Sequence, residues 1–167
     1  MSRALLVIDI QNEYFPGGGL PLHQAEEVEG KIVAAMAEAR RAGDRIILVQ
    51  HVSASETGLF ASGSSGSRIR PAIESAAGDA PVVVKRFADA FQETDLKIHL
   101  EGVTSLLICG MMTQNCVVFT AMSRLADGLE ITVVEDLCAA PTPVVHAIAL
   151  SALKSKLPVK SAAEIWR

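Results

Sequence analysis

Short, continuous apolar runs alternate with longer amphipathic segments along the chain. Apolar runs that lack polar alternation are typical of strands that are covered on both faces of a sheet. Runs of this kind predict six strands, at residues 5–8, 45–50, 82–84, 105–109, 131–134 and, briefly, 157–160. Polar or amphipathic segments separate them.

Helical spacing is clearest in residues 25–42, where apolar residues recur on one face and Gly43 suits the C-terminus. That face consists of Val28, Ile32, Ala35, Met36 and Ala39. Further helices are predicted at residues 96–100, 115–126 and 143–154. The predicted pattern is therefore one of strands and helices in alternation.

Such alternation predicts an α/β fold with right-handed crossovers and a mainly parallel sheet. A chain of 167 residues fits one compact domain, and we expect residues 1–167 to form it. Residues 52–80 make a long connection rich in Ser and Gly. A connection of this length inside a compact domain is usually functional or disordered.

Composition narrows the function classes. Half of the residues are hydrophobic, a fifth are charged, and the net charge is −4, which is ordinary globular usage. The densest basic spot, Arg40-Arg41, ends a predicted helix and complements its dipole, so we expect no nucleic-acid partner. The first apolar run is too short to span a membrane and lacks a signal-peptide pattern, so we expect a cytoplasmic protein.

The three cysteines, Cys109, Cys116 and Cys138, form no Cys-x-x-Cys pair and no zinc knuckle. Free thiols suit a reducing compartment. Cys109 lies in the middle of a predicted strand and is expected to be inert. Cys138 follows the fifth predicted strand and is a reserve candidate for a nucleophile.

In an open parallel sheet the functional site lies beyond the carboxyl ends of the strands. Asp9, Lys85 and Cys116 follow or end three predicted strands, and the topology brings them to one edge. Each also has a structural interpretation. Asp9 could be a cap, Lys85 a surface lysine with a buried stem, and Cys116 a small buried hydrophobe.

Together the three side chains make chemical sense as a catalytic unit. Asp9 interrupts an apolar run, and burying a bare carboxylate is costly. Cys116 begins a predicted helix, a position that lowers the pKa of a thiol. Asp9 could take the proton of Cys116, and Lys85 could stabilise the thiolate. Backbone N–H groups of the turn at residues 110–113 could form an oxyanion hole.

The sequence resembles the isochorismatase-like cysteine hydrolases in three ordered segments. They are VIDIQNEYF at residues 7–15, VKRFADAF at residues 84–91 and CGMMTQNCV at residues 109–117. The resemblance continues through TDL at residues 94–96, VED at residues 134–136 and HAIAL at residues 146–150. It therefore covers nearly the whole chain.

The resemblance implies a Rossmann-like three-layer αβα sandwich with Asp9, Lys85 and Cys116 as the catalytic triad. It also implies a cis peptide between Met111 and Met112, and oxyanion donors at the backbone N–H groups of Met112 and Cys116. Members of the family commonly form homo-oligomers, so we expect a dimer or tetramer.

Members of this family hydrolyse nicotinamide, N-carbamoylsarcosine, ureidoacrylate, biuret and streptothricin. Isochorismatase itself cleaves a vinyl ether without needing the cysteine. The presence of Cys116 favours hydrolysis of a carbon–nitrogen bond in a small molecule, by way of a thioester. A vinyl ether hydrolase, a non-catalytic binding member and a redox sensor built on Cys116 are the alternatives.

The chain departs from the nicotinamidases beyond its second strand. Those enzymes carry an Asp-x-His metal motif and a further His there, whereas residues 50–55 read QHVSAS. We therefore expect neither a metal site nor a cofactor. The other histidines, His23, His99 and His146, are expected on the surface or on helices.

Five residues are candidates for substrate contact: Gln11, Phe15, His51, Phe60 and Phe91. Small-molecule pockets combine apolar walls with a few polar groups, as this set does. Core packing would explain Phe15 and Phe91 equally well, and His51 could be a structural histidine.

Overall fold

Six strands form one sheet in the computed structural model, which describes residues 2–167. The strands are β1 (Arg3–Ile8), β2 (Arg45–His51), β3 (Val82–Lys85), β4 (Ser105–Met111), β5 (Glu130–Ala139) and β6 (Val159–Lys160). Their order is β3-β2-β1-β4-β5-β6, and every pairing is parallel. The predicted six-stranded parallel α/β sheet is confirmed.

Helices flank the sheet. They are α1 (Ala25–Arg41), α2 (Pro71–Ala77), α3 (Leu96–His99), α4 (Val118–Ala121), α5 (Pro143–Lys154) and α6 (Ala162–Ile165). The apolar face predicted for α1 is the face that it buries, including Ile32, Met36 and Ala39. Because β1 is covered on both sides, its residues from Ala4 to Ile8 are all buried, as a continuous apolar run requires.

The strand order places a topological switch point at the centre of the sheet. From β1 the chain proceeds outward to β2 and β3, then returns to β4 and proceeds outward to β5 and β6 on the other side. Crevices at the carboxyl ends of such strands are where ligands bind in open α/β sheets. Asp9 directly follows β1, one of the two central strands, and Cys116 lies just beyond the other.

The helix predicted at residues 115–126 is wrong as one continuous element. Thr113–Val117 is a π-helical turn, Val118–Ala121 is α4, and Arg124–Ala126 is a separate 3₁₀ turn. The break occurs at Ser123, whose hydroxyl accepts from the Leu125 N–H at 3.1 Å and donates to Asp89. A side chain that caps a new turn ends the preceding helix.

Two short helices were not predicted, although the sequence contains their signals. Within the long connection, α2 begins with Pro71 and ends at Ala77, with Gly78 as its C-cap. At the C-terminus, α6 begins with a capping box formed by Ser161 and Glu164.

The fifth strand is longer than predicted. The polar pair Glu135 and Asp136 marked its expected end, but β5 continues to Ala139. A register irregularity between Ile108 and Gly110 of β4 lets the pairing resume there. Cys138 therefore lies within β5 and not after it.

In the part of the chain that the structure describes, no helix is both long enough and apolar enough to cross a membrane.

Candidate active site

Asp9, Lys85 and Cys116 meet at the carboxyl edge of the sheet. Lys85 Nζ lies 2.9 Å from Asp9 Oδ2 and 3.2 Å from Cys116 Sγ. The three residues are 0%, 1% and 3% exposed, respectively. Three residues that are far apart in sequence thus form one buried cluster of a carboxylate, an ammonium group and a thiol.

Asp9 is held by the turn that ends β1. Its backbone has a positive φ of 54°, which is uncommon for a residue other than glycine. Its N–H donates to Val49 O at 3.0 Å, while its C=O accepts from the Gln11 N–H at 2.9 Å. Both backbone groups are therefore bonded, which fixes the point from which the side chain projects.

Cys116 projects from the π-helical turn that follows β4. The peptide bond between Met111 and Met112 is cis, as the resemblance implies. The Met112 carbonyl accepts from the N–H groups of both Asn115 and Val117, at 3.1 and 3.3 Å. The backbone groups of Met112 and Cys116, the expected oxyanion donors, thus belong to one tight turn.

His146 supports this turn from α5. Its Nδ1 lies 2.8 Å from the hydroxyl of Thr113, which is fully buried at the start of the turn. His146 lies on a helix, α5, which is one of the two positions expected for it, and its side chain is half-buried. Its contact with the turn could not be inferred, because nothing in the sequence pairs residues 113 and 146.

Burial, and not the position of Cys116 at the start of a helical segment, determines the pKa of its thiol. Burial raises the pKa of Cys116 to about 12, and the nearby Asp9 carboxylate adds to the rise while Lys85 opposes it. The expectation of a lowered thiol pKa is therefore wrong, because desolvation disfavours the thiolate and the two neighbouring charges have opposite signs. Cys116 rests as a thiol and needs a base.

Lys85 is charged in the same cluster. Burial lowers the pKa of its ammonium, but Asp9 and Cys116 together outweigh burial and raise the pKa above its ordinary value. A buried cation of this kind is stable only beside compensating groups.

The carboxylate of Asp9 faces both other members of the cluster. Its Oδ2 forms an ion pair with the Lys85 ammonium at 2.9 Å. Among residues 2–167, no protein donor outside this cluster bonds its oxygens. The buried carboxylate therefore depends on the charge of Lys85 for its stabilisation.

Gln11 and His51 lie beside the cluster. The side chain of Gln11 is fully buried and bonds both backbone groups of residue 51: its Nε2 donates to His51 O at 2.8 Å, and its Oε1 accepts from His51 N at 2.9 Å. Its amide also donates to Ser67 O at 2.7 Å. The amide of Gln11 is thus occupied by protein partners.

The three phenylalanines that are candidates for substrate contact lie in different surroundings. Phe60 is buried in the first half of the long connection, with its ring centroid 5.4 Å from that of His51 and 5.0 Å from that of Tyr14. Phe15 is 1% exposed and lies under the guanidinium group of Arg70. Phe91 is also buried. The structure brings Phe60 to the histidine and encloses Phe15 in the core.

Tyr14 was not singled out from the sequence, yet it belongs to the neighbourhood of the site. It is buried, and burial together with the charges of Asp9 and Cys116 raises the pKa of its hydroxyl well above the ordinary value. Only its place within residues 7–15 could have pointed to it. The phenol stays protonated beside the cluster.

The other two thiols lie inside the sheet. Cys109 is fully buried in β4, and burial raises its pKa well above its ordinary value. Cys138 is buried in β5, where its thiol faces the Val134 carbonyl at 3.3 Å and burial raises its pKa to about 12. Neither thiol has a lysine contact of the kind that Cys116 has.

Possible metal ligands are scattered. Within residues 2–167, no three side chains from His, Cys, Asp and Glu are grouped so that they could hold a metal ion. His51 contacts Lys85, with its Nδ1 at 3.1 Å from the ammonium nitrogen.

Comparison with known proteins identifies similar chains. The isochorismatase domain model matches residues 3–164. YddQ of Bacillus subtilis (strain 168), an uncharacterized isochorismatase family protein, is 35% identical over 145 residues, covering 85% of this chain and 80% of that protein. A crystal structure of an isochorismatase family protein from Desulfovibrio vulgaris has a TM-score of 0.90 at 26% identity, covering 98% of this chain and 96% of that one.

Two further relatives have more specific names. A streptothricin hydrolase of Streptomyces noursei is 30% identical over 136 residues, covering 80% of this chain and 48% of that protein. A probable inactive nicotinamidase of Arabidopsis thaliana is 28% identical over 165 residues, covering 87% of this chain and 84% of that protein.

Proposed function

Because the chain belongs to the isochorismatase family of hydrolases, we propose that it hydrolyses a carbon–nitrogen bond of a small molecule through a thioester on Cys116. The bond is of amide, carbamoyl or ureido type. The name of the streptothricin hydrolase of Streptomyces noursei supports hydrolytic chemistry within the family.

One observation carries the proposal: a thiol, an ammonium group and a carboxylate meet in a buried site from which water is nearly excluded. Cys116 Sγ lies 3.2 Å from Lys85 Nζ, which lies 2.9 Å from Asp9 Oδ2. An activated nucleophile requires an adjacent base or a charge that stabilises its anion, and this cluster supplies both.

In the first half of the reaction, the Cys116 thiol transfers its proton to Asp9. The sulfur forms a bond to the substrate carbonyl carbon, and the negative charge moves to the carbonyl oxygen. Backbone N–H groups at Met112 and Cys116 donate to this oxygen. The carbon–nitrogen bond then breaks, and the proton on Asp9 passes to the leaving nitrogen.

In the second half, water attacks the thioester. Asp9, again a carboxylate, takes a proton from the water as the new carbon–oxygen bond forms. The carbon–sulfur bond breaks, and the proton returns to the sulfur. Lys85 stabilises the sulfur whenever it is anionic. Asp9 thus acts in turn as general base and as general acid in each half of the reaction.

A screen of small amides, carbamoyl compounds and ureido compounds for ammonia or amine release tests this proposal. We expect Cys116→Ala to lower turnover by at least about a thousandfold, since no nucleophile remains. Cys138→Ala is the matched control, because it removes an equally buried thiol outside the cluster and should retain activity.

Two outcomes would favour other functions. Turnover that persists in Cys116→Ala would contradict the thioester and favour a vinyl ether hydrolase, which can be assayed with isochorismate. Binding of amides without turnover by the unmodified chain would favour a non-catalytic member, as the name of the Arabidopsis thaliana relative suggests for that protein.

A further inference from the structure

The strand order requires the side chain of Lys85 to pass over a neighbouring strand. Lys85 ends β3, Asp9 follows β1, and β2 lies between them. Two interstrand spacings amount to about 10 Å, which an extended lysine side chain must largely span. The residue of β2 that pairs with Lys85 in register is His51. The lysine therefore reaches its partners past this histidine.

The ammonium of Lys85 has more acceptors around it than it has N–H groups. Its Nζ lies 3.1 Å from His51 Nδ1, 3.0 Å from Phe87 O and 3.2 Å from Cys116 Sγ, all with hydrogen-bond geometry. Asp9 Oδ2 is a fourth neighbour, at 2.9 Å. A lysine ammonium has three donors, so four acceptors compete for three N–H groups.

Neighbouring residues hold His51, and with it the acceptor atom Nδ1, in place. Gln11 bonds its backbone N–H at 2.9 Å and its carbonyl at 2.8 Å. Phe60 packs edge-on against the imidazole, with an interplanar angle of 84°. The backbone and the ring of His51 are thus both fixed by neighbours that are themselves buried.

The ring is neutral, as an acceptor at Nδ1 must be. The charged groups that face it are Lys85 from β3 and Asp9 from β1. Burial and the charge of Lys85 lower the pKa of His51, and Asp9 opposes them only in part. The proton of the neutral ring then lies on Nε2, which leaves the lone pair of Nδ1 for the lysine.

We propose that His51 is a positioning residue: by accepting one N–H of Lys85, it competes with Asp9 for the ammonium donors and leaves the carboxylate able to take the thiol proton. The inference rests on the proposed function, because it concerns how the same cluster transfers that proton. Without the histidine acceptor, the freed N–H turns further toward the carboxylate of Asp9. The carboxylate is then held more strongly by the ammonium, and the thiolate loses its donor.

The test uses iodoacetamide as a probe, so that no substrate needs to be known. Alkylation of Cys116 is followed by site-resolved mass spectrometry in the unmodified chain and in His51→Asn, His51→Gln and His51→Leu. An asparagine oxygen can occupy the place of Nδ1, whereas a glutamine amide reaches the place of Nε2. We expect His51→Leu and His51→Gln to alkylate about tenfold more slowly, since each unit of increase in thiol pKa lowers the thiolate fraction tenfold. His51→Asn should restore most of the rate.

A second comparison separates positioning from a general structural effect. A residue that acts through Lys85 loses its influence when Lys85 is absent. We therefore expect His51→Leu to add no further loss in a Lys85→Ala background. His99→Asn, which changes a half-buried histidine that contacts Asp95 outside the site, should alkylate at the rate of the unmodified chain.

The outcomes are distinct. The positioning role is overturned if His51→Asn and His51→Gln slow alkylation of Cys116 equally. It is also overturned if His51→Leu lowers the alkylation rate by the same factor whether Lys85 is present or replaced by Ala. If His51→Leu does not fold, the contrast between Asn and Gln decides alone. If Lys85→Ala itself alkylates like the unmodified chain, the proposed proton-transfer cluster fails, and the role of His51 fails with it.

Discussion

At the residue scale, the cluster places a buried carboxylate beside a cation and a thiol. Asp9 is fully buried, and its Oδ2 lies 2.9 Å from the Lys85 ammonium. Among residues 2–167, no protein donor outside the cluster bonds its oxygens. A carboxylate bonded by several donors would be a poor base, so the small number of donors around Asp9 suits the proposed transfer of a proton from Cys116.

This arrangement predicts the effects of changing either charged partner. We expect Asp9→Asn to lower turnover of a screened amide by about a hundredfold or more, because general acid–base catalysis contributes factors of this size. Lys85→Ala should be similarly harmful. Since the residues act as a unit, the double variant should be little worse than either single one. Steady-state kinetics of the four proteins checks this, and multiplicative losses would contradict a shared step.

The positions of Asp9, Lys85 and Cys116 at one edge could be predicted from the sequence, because parallel strands carry their carboxyl ends to the same side. The protonation state of Cys116 could not. It depends on how completely the site excludes water and on how closely two opposite charges lie to the sulfur. The contact between His51 and Lys85 depends on which strand lies between β3 and β1.

At the element scale, Gly110 allows β1 and β4 to approach closely next to the site. Its φ is +126°, and a Cβ atom there would lie 2.1 Å from the Ile8 carbonyl oxygen. Ile8 precedes Asp9, and Gly110 precedes the turn that carries Cys116. The absence of a side chain at Gly110 therefore lets the segments that carry Asp9 and Cys116 lie close together.

We expect Gly110→Ala to lower the free energy of unfolding by at least about 3 kcal/mol, because backbone strain and a clash with backbone atoms add together. Gly128→Ala is the matched control. Gly128 also has a positive φ, of +96°, but nothing lies within 4 Å of its added Cβ. That variant should lose only about 1–2 kcal/mol. Urea denaturation measures both, and equal losses would contradict the close-approach argument.

Elements with one dominant signal could be predicted from the sequence, and elements with competing signals could not. The apolar face of α1 and the buried run of β1 were each unambiguous. In the segment after Cys116, apolar spacing favoured a long helix, but Ser123 formed a new cap and a bond to Asp89 instead. Tertiary partners of this kind are invisible in the local pattern.

At the scale of the whole molecule, five buried groups that titrate at alkaline pH all make the fold less stable as the pH rises. The pKa values of Cys109, Cys116, Cys138, Tyr14 and Lys85 are all raised by the fold. A raised pKa contributes stability that is complete below the unfolded value and is lost as pH rises through the folded value. For the thiols, this range begins near pH 9 and extends to about 12 for Cys116 and Cys138.

We therefore expect the free energy of unfolding to fall steeply above pH 9, by up to about 1.4 kcal/mol per pH unit for each such group. The lowered pKa values of His51 and His146 act at the other end, where stability is lost as pH falls below their ordinary value of 6.5. Urea denaturation across this range measures the effect. Cys138→Ala should make the alkaline fall shallower, and an unchanged slope would contradict the assignment.

The architecture as a whole was the most predictable feature. Alternating strands and helices specify a parallel sheet because a crossover connection has one favourable hand. The strand order, with the switch point between β1 and β4, depends on pairings between residues far apart in sequence and becomes visible only in the structure.

The measurement that tests the central claim most directly is a search for a covalent adduct on Cys116. An amide found by screening is mixed with the protein, the reaction is stopped with acid during turnover, and the intact protein and its peptides are weighed. We predict a mass increase equal to the acyl group less one hydrogen, located on Cys116 and absent in Cys116→Ala. Rapid turnover without any adduct on Cys116, together with full activity in Cys116→Ala, would contradict the account.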